Sequence, residues 1–373
     1  MAEGLTLVTG FPRLLARLIT TELLAAGERE VCLLVRERYL EDAARFVASI
    51  DAAGRVSIVE GDVTSIDMGL PGAEYLSLAR RAARVFHAAQ STFEGVDPAR
   101  VRALNVQGTY EVLEFARTAR AEGAAPHVVA LSSTLAAGDH EGLVLEGELQ
   151  YGQGFRSEVE RTLHQAERML RKASQELPVT VLRPSILVGH SESGEVDVLD
   201  GPYPFVMLLL SSPVDITLPL PTDGEIALNL VPVDYVARAA VALGRHPDAV
   251  GRTFHLVDPH PLPARRVFEL FARAAGRKLP RAVLPTRLTS ALLSTPGLER
   301  FARSPRAFVE RMATRTVYPS DAARALLEPR GVQCPPFDRY VDALVEYARR
   351  RMASRRVRSD AIAAEPEADD PLL

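Results

Sequence analysis

The feature that most constrains this chain is a regular alternation of short apolar runs with longer amphipathic stretches. Residues 5–8, 31–35, 56–59, 85–87, 128–131 and 179–182 read as buried strands. Between them, residues 13–26, 40–53, 100–122 and 158–177 carry helical spacing, with Leu14, Leu15, Leu18, Leu23 and Leu24 in register and Gly27 as a stop. A strand cannot return parallel to its predecessor without a crossover, and a helix is the usual one. The alternation therefore predicts an α/β fold, a doubly wound parallel sheet. After Gly189 the texture shifts to proline-rich loops such as Gly201-Pro202-Tyr203-Pro204. Residues 233–236 open another helix, 253–257 read as one more strand, and 263–351 are mostly helical.

These shifts give an expected domain plan. Residues 1–190, with 228–258 returning to them, make the main domain, and 191–227 with 259–352 make a smaller, mostly helical C-terminal region. Residues 353–373, arginine-rich and then acidic, read as a disordered tail. The 373 residues carry 44 Lys+Arg against 48 Asp+Glu, a net charge of −4 that gives no footprint for nucleic acid. The longest apolar run, 205–210, is far short of the roughly 20 residues that span a bilayer. With no leader pattern at residues 5–9, a soluble cytoplasmic chain is expected. Two cysteines, Cys32 and Cys334, supply neither a disulfide framework nor a metal cluster. The histidines lack ligand spacing, so no metal site is expected.

The first strand runs into Val8-Thr9-Gly10-Phe11-Pro12-Arg13-Leu14-Leu15-Ala16. A glycine turn between strand and helix lets backbone approach a pyrophosphate, and the helix N-terminus offers amides to it. Only Gly10 survives of three glycine places, and Arg13 and Ala16 fill the others. Arg13 either blocks a dinucleotide or turns outward to pair with its phosphates. Further along lie Gly61-Asp62-Val63, His87-Ala88-Ala89, Asn105-Val106-Gln107-Gly108-Thr109, Ser132-Ser133, Leu182-Arg183-Pro184-Ser185 and Val231-Pro232-Val233-Asp234-Tyr235-Val236.

In order and spacing, these elements over residues 5–350 resemble the extended short-chain dehydrogenase/reductase family. The likeness is to its branch of fatty acyl-CoA reductases, thioester reductases and male-sterility NAD-binding domains. The resemblance implies a Rossmann domain that binds NADPH or NADH. Thr9, Gly10, Phe11 and Arg13 would lie at the pyrophosphate, Asp62 and Val63 at the adenine, Ala88 and Ala89 at the inner ribose, and Pro184 at the nicotinamide. Arg36, just past the second strand, stands where a 2′-phosphate partner is expected and tips the choice towards NADPH, with Glu37 beside it.

The same resemblance implies a tyrosine proton donor, a lysine one turn later and a serine after the fifth strand. Ser133 (or Ser132) keeps the serine place, but Val159 and Leu163 occupy the other two. Nearby substitutes are Tyr151, in a glycine-rich loop, and His164, about 100° round the helix from Leu163. Arg156 offers a fixed charge and no proton. Lys172, one of two lysines, faces away from Leu163. His87 reads as a hydrogen-bonded core histidine and His140 as part of a solvent-facing turn.

The expectation is a reductase of an activated carbonyl on a lipophilic small molecule, as in tailoring steps of secondary metabolism, working without the Tyr–Lys pair. Residues 204–221, 288–293 and 301–308 would line a greasy pocket or form ordinary core. The alternatives are a non-catalytic Rossmann-like scaffold and, less favoured, a lyase or isomerase. A homodimer is compatible with either fold use.

Overall fold

The computed structural model describes residues 4–50, 52, 54–93, 96–211, 224–277, 308, 312 and 314–359. The strands of the first half are β1 (Leu5–Thr9), β2 (Val31–Val35), β3 (Val56–Glu60), β4 (Ala82–His87) and β5 (His127–Leu131). Then follow β6 (Gly142–Leu143), β7 (Val179–Pro184), β8 (Ile186–Val188), β9 (Leu230–Pro232), β10 (Thr253–Leu256) and β11 (Thr316–Val317). Among the described residues seven of them form one parallel sheet in the order β10-β7-β5-β4-β1-β2-β3. The expected α/β doubly wound sheet is what the chain adopts. The order reverses between β1 and β4, and a crevice at such a point is where open α/β sheets take their ligands.

Helices cover both faces. On one side α1 (Leu14–Ala25) and α8 (Val233–Gly244) bury Ile19, Leu23, Val236 and Ala240 against Val8, Leu33 and Phe86 of the sheet. On the other, α3 (Gly72–Arg81), α5 (Gly108–Ala121) and α6 (Glu158–Ala173) bury Tyr75, Phe115 and Leu170 against Leu7, Val85 and Val128. The remaining α-helices among the described residues are α2 (Leu40–Ser49), α4 (Pro98–Arg102), α7 (Tyr203–Ser211), α9 (Ala264–Ala274), α10 (Asp321–Leu327) and α11 (Val341–Ser359). Alternating apolar residues on both sides of each central strand explain why the runs read as continuous rather than period-two.

A separate apolar cluster joins α7, α9 and α11 through Val206, Phe268, Phe271 and Leu344. It holds residues 205–209, so this part of the expected greasy segment is packed core, while 212–223 and 288–307 lie outside the described residues. The α11 helix continues through residues 353–359, where a disordered tail was expected to begin, and 360–373 lie outside the described residues.

A short parallel ladder of β11 with β6 attaches this region to the sheet domain, and a second, β8 with β9, joins two segments of the sheet domain itself. Glu146, just after β6, adds a polar tie. Its carboxylate accepts from the amide of His255 in β10 (2.9 Å) and from Ala322 and Ala323 at the start of α10 (2.9 and 3.2 Å).

Candidate functional site

At the C-terminal ends of β1, β4, β5 and β7 lies a cavity of about 170 Å³. It is bounded by Arg13, Ala88, Gln90, Ser133, Pro184 and Asp197, with Val188 and Phe308 among its apolar walls. A second cavity, about 270 Å³, opens beside it between the sheet domain and the C-terminal region, with Arg156, Asn229 and Tyr318 in its wall. Thr134, Leu135, Ser185 and Ile186 line both.

The turn from β1 into α1 passes tightly under β4. Gly10 has φ +103°, and a Cβ there would sit 2.8 Å from the backbone carbon and oxygen of Ala88. Only glycine suits that position on both counts. The side chains around it turn inward. Thr9 Oγ1 is bonded to His87 Nδ1 (2.9 Å), and the Phe11 ring packs on Phe46 in the core, so neither lines either cavity. Burial pushes the His87 imidazole down to about 4, so it is neutral and structural.

The other expected cofactor residues fall into three groups. Gly10 shapes the turn, and Ala88, Arg13 and Pro184 line the first cavity. Ala89 is on the opposite sheet face, in the cluster with Val85 and Leu104. Arg36 and Asp62 meet each other at the end of β2, Arg36 Nε lying 2.9 Å from Asp62 Oδ2. Asp62 also accepts from the amide and hydroxyl of Thr64 (2.9 and 2.8 Å), and Val63 is buried against Gly108.

Of the expected catalytic residues, Ser133 reaches the cavity and the other two do not. Ser133 Oγ accepts from Leu135 N (3.2 Å) and lies 3.4 Å from the Pro184 carbonyl to which it donates. Tyr151 accepts from Leu145 N with its hydroxyl (3.0 Å) and stacks on His140, away from both cavities. His164 lies against the Ala136 carbonyl (3.0 Å) and the Gln153 side chain (3.1 Å), and burial lowers its pKa. These contacts hold the ring away from both cavities.

Val159 and Leu163 themselves, 3% and 0% exposed, are packed with Val101, Ala136 and Leu149 in a small apolar cluster. Lys172 is exposed near the end of α6. Arg156 does reach the second cavity, where Glu160 neutralises it at 3.0 Å.

Three residues enter the site unannounced. Thr134 follows Ser133 directly and lines both cavities, and that adjacency was the available signal. Tyr318, from beyond β11, donates its hydroxyl to the Thr134 carbonyl (3.4 Å) and sets its ring edge-on to His255. Burial pushes its phenol up to about 12, so it stays protonated at neutral pH and acts as a donor. Asp197 accepts from Leu14 N with both carboxylate oxygens (3.0 and 2.9 Å), capping α1 from 183 positions away.

Behind the serines, Glu167 is fully buried and receives Ser132 Oγ (2.8 Å) and Arg183 (2.6 and 2.8 Å). Desolvation alone would raise its carboxyl, but Arg183, Arg171 and Ser132 outweigh burial and hold it below the usual range.

A doubly wound sheet with its cavity at the reversal of strand order, entered by a single-glycine turn, defines a Rossmann-type protein. The chain belongs to the male sterility protein family, an NAD-binding domain family whose model matches residues 5–240. Among curated relatives it is 29% identical over 227 residues to the glycine betaine reductase ATRR of Emericella nidulans, covering 58% of this chain and 17% of that protein. It is 28% identical over 206 residues to the aldehyde reductase lnbA of Aspergillus flavus, covering 52% and 19%. The match thus spans under a fifth of either relative. In fold it is similar to the terminal R domain of the myxalamid PKS-NRPS pathway, with TM-score 0.76, 23% identity, and 96% and 92% of the two chains covered.

A nicotinamide dinucleotide can be tested against these residues. The first cavity suits its nicotinamide half: Gln90 is 5% exposed and both polar atoms of its side chain are buried without a partner among the described residues. The phosphate position at the α1 N-terminus suits it only when the Asp197 carboxylate withdraws.

Proposed function

We propose that the chain is an NAD(P)H-dependent reductase of an activated carbonyl, carried on a lipophilic small molecule in a biosynthetic tailoring step. It would work without a Tyr–Lys pair. The observation that carries this reading is the meeting of the two cavities at Thr134, with Ser133 on one side and the Tyr318 hydroxyl on the other. A reduced nicotinamide in the first cavity would supply the hydride. The carbonyl then lies at the junction, where Ser133 and Thr134 offer hydroxyl donors to its oxygen. As the C=O electron pair moves to oxygen, the protonated Tyr318 is the donor for the resulting alkoxide. On the substrate side, apolar walls at Leu135, Ile186, Leu228 and Met312 favour an apolar substrate and keep water from the junction.

A second reading, a non-catalytic scaffold, is favoured by one observation: Val159 and Leu163, at the places the sequence resemblance assigns to the acid and the lysine, are packed in an apolar cluster. Titration with NADPH and NADH separates the two. Saturable binding is expected, raising stability by about 2.7 kcal/mol at 100 times the dissociation constant. No binding of either nucleotide at millimolar concentration would defeat the reductase and leave the scaffold. With binding in hand, Tyr318→Phe is expected to lower turnover about 100-fold on an aldehyde substrate while leaving cofactor affinity within twofold.

A further inference from the structure

The α1 helix has no side-chain cap from its own N-terminal segment, since Arg13 stands at that place and its guanidinium is folded onto the Gln90 carbonyl at 2.6 Å. The orphan amide is met by Asp197 instead. The segment bearing Asp197 is tied down at several points. Arg17, one turn into α1, pairs with Glu195 at 2.9 Å and lies 3.8 Å from Asp197. Arg351 of α11 donates to the carbonyls of Val196 and Asp197 (2.7 and 2.9 Å). Two residues beyond Asp197, Leu199 enters the apolar core of the C-terminal region.

Resting on the reading that a dinucleotide takes the first cavity, we propose that Asp197 is a built-in phosphate surrogate that the cofactor must expel. A carboxylate and a pyrophosphate cannot share one helix N-terminus, because both need the same amides and carry the same charge. The unpartnered Gln90 amide in the same cavity is the independent mark of a ligand position: a buried primary amide without partners is costly, and an incoming polar ligand would satisfy it. Cofactor affinity is then reduced by the fraction of molecules in which Asp197 is docked. Expulsion also moves residues 190–198, which run directly into the core of the region that walls the second cavity. Cofactor entry is thereby coupled to the substrate side.

The test compares the wild type with Asp197→Asn, which keeps a capping side chain and removes the charge. NADPH, NADH and inorganic pyrophosphate are titrated into each, and hydrogen exchange of residues 190–198 is followed on addition. The proposal expects at least tenfold tighter dinucleotide binding by Asp197→Asn, and faster exchange of 190–198 in the wild type once the nucleotide is bound. Equal or weaker binding by the variant, or unchanged exchange in the loaded wild type, would overturn it. If neither protein binds a dinucleotide but Asp197→Asn alone binds pyrophosphate, the surrogate stands and the reductase reading falls. If neither protein binds any of the three, both fall.

Discussion

Arg183→Met is expected to cost the fold about 3–5 kcal/mol, because it leaves Glu167 ionised in the protein interior without its main partner. Arg183 is 2% exposed and meets both oxygens of Glu167, which is itself fully buried. Arg171 and Ser132 still reach Glu167, which places the loss towards the lower end of that range. Replacing both members, Arg183→Met with Glu167→Leu, is expected to recover most of the loss, since a buried pair exchanged for apolar groups is often neutral. Denaturant unfolding of the two single variants and the double checks this, and a single-variant loss under about 1 kcal/mol would contradict the buried pair. The pH dependence has a fixed sign. The Glu167 carboxyl is depressed in the folded state, so its contribution is present above its unfolded pKa and is lost as pH falls through the lower folded value. The pair also fixes the site: Ser132, held by Glu167, is the residue before Ser133.

Leu163→Lys, which puts a lysine at the place the sequence resemblance assigns to one, is expected to destabilise rather than to activate. Leu163 is 0% exposed, among Val101, Ala136, Leu149 and Val159, and the buried Glu167 one turn on is already held by Arg183, Arg171 and Ser132. An amine forced there would have its pKa lowered by about 3–5 units, and at pH 7 this costs about 4–5 kcal/mol relative to the charged unfolded lysine. The cost shrinks as pH rises towards the unfolded lysine pKa, so unfolding at pH 7 and pH 10 should differ in favour of the higher pH. Leu163→Met, which conserves volume, is expected to cost under about 1.5 kcal/mol. A lysine variant as stable at pH 7 as the methionine one would mean that this part of α6 faces the cavity after all.

Much of this was written in local sequence. The apolar runs marked the sheet because each central strand is covered on both faces, and Gly10 marked the turn because only glycine tolerates its φ and the Ala88 backbone beneath it. Ser133 and Pro184 were legible from their place after strands, and both reach the cavity. Tyr151 and His164 are placed differently, because proximity in sequence to Val159 and Leu163 does not fix direction: one lies in a loop tied to Leu145 and the other points to Ala136. Asp197 and Tyr318 carried no local signal at all. Each is brought to the site by the packing of the C-terminal region, which periodicity and spacing do not encode.

The tie made by Glu146 bears on how two copies of this chain could meet. A strand at the rim of a sheet ordinarily presents unpaired amides to any passing strand. On β10 the amide of His255 is already occupied by a half-buried carboxylate that also begins α10. A second molecule adding a strand there would have to break those charge-assisted bonds and lift the helix away. The chain's own Glu146 thus closes the β10 rim of the sheet to strand addition.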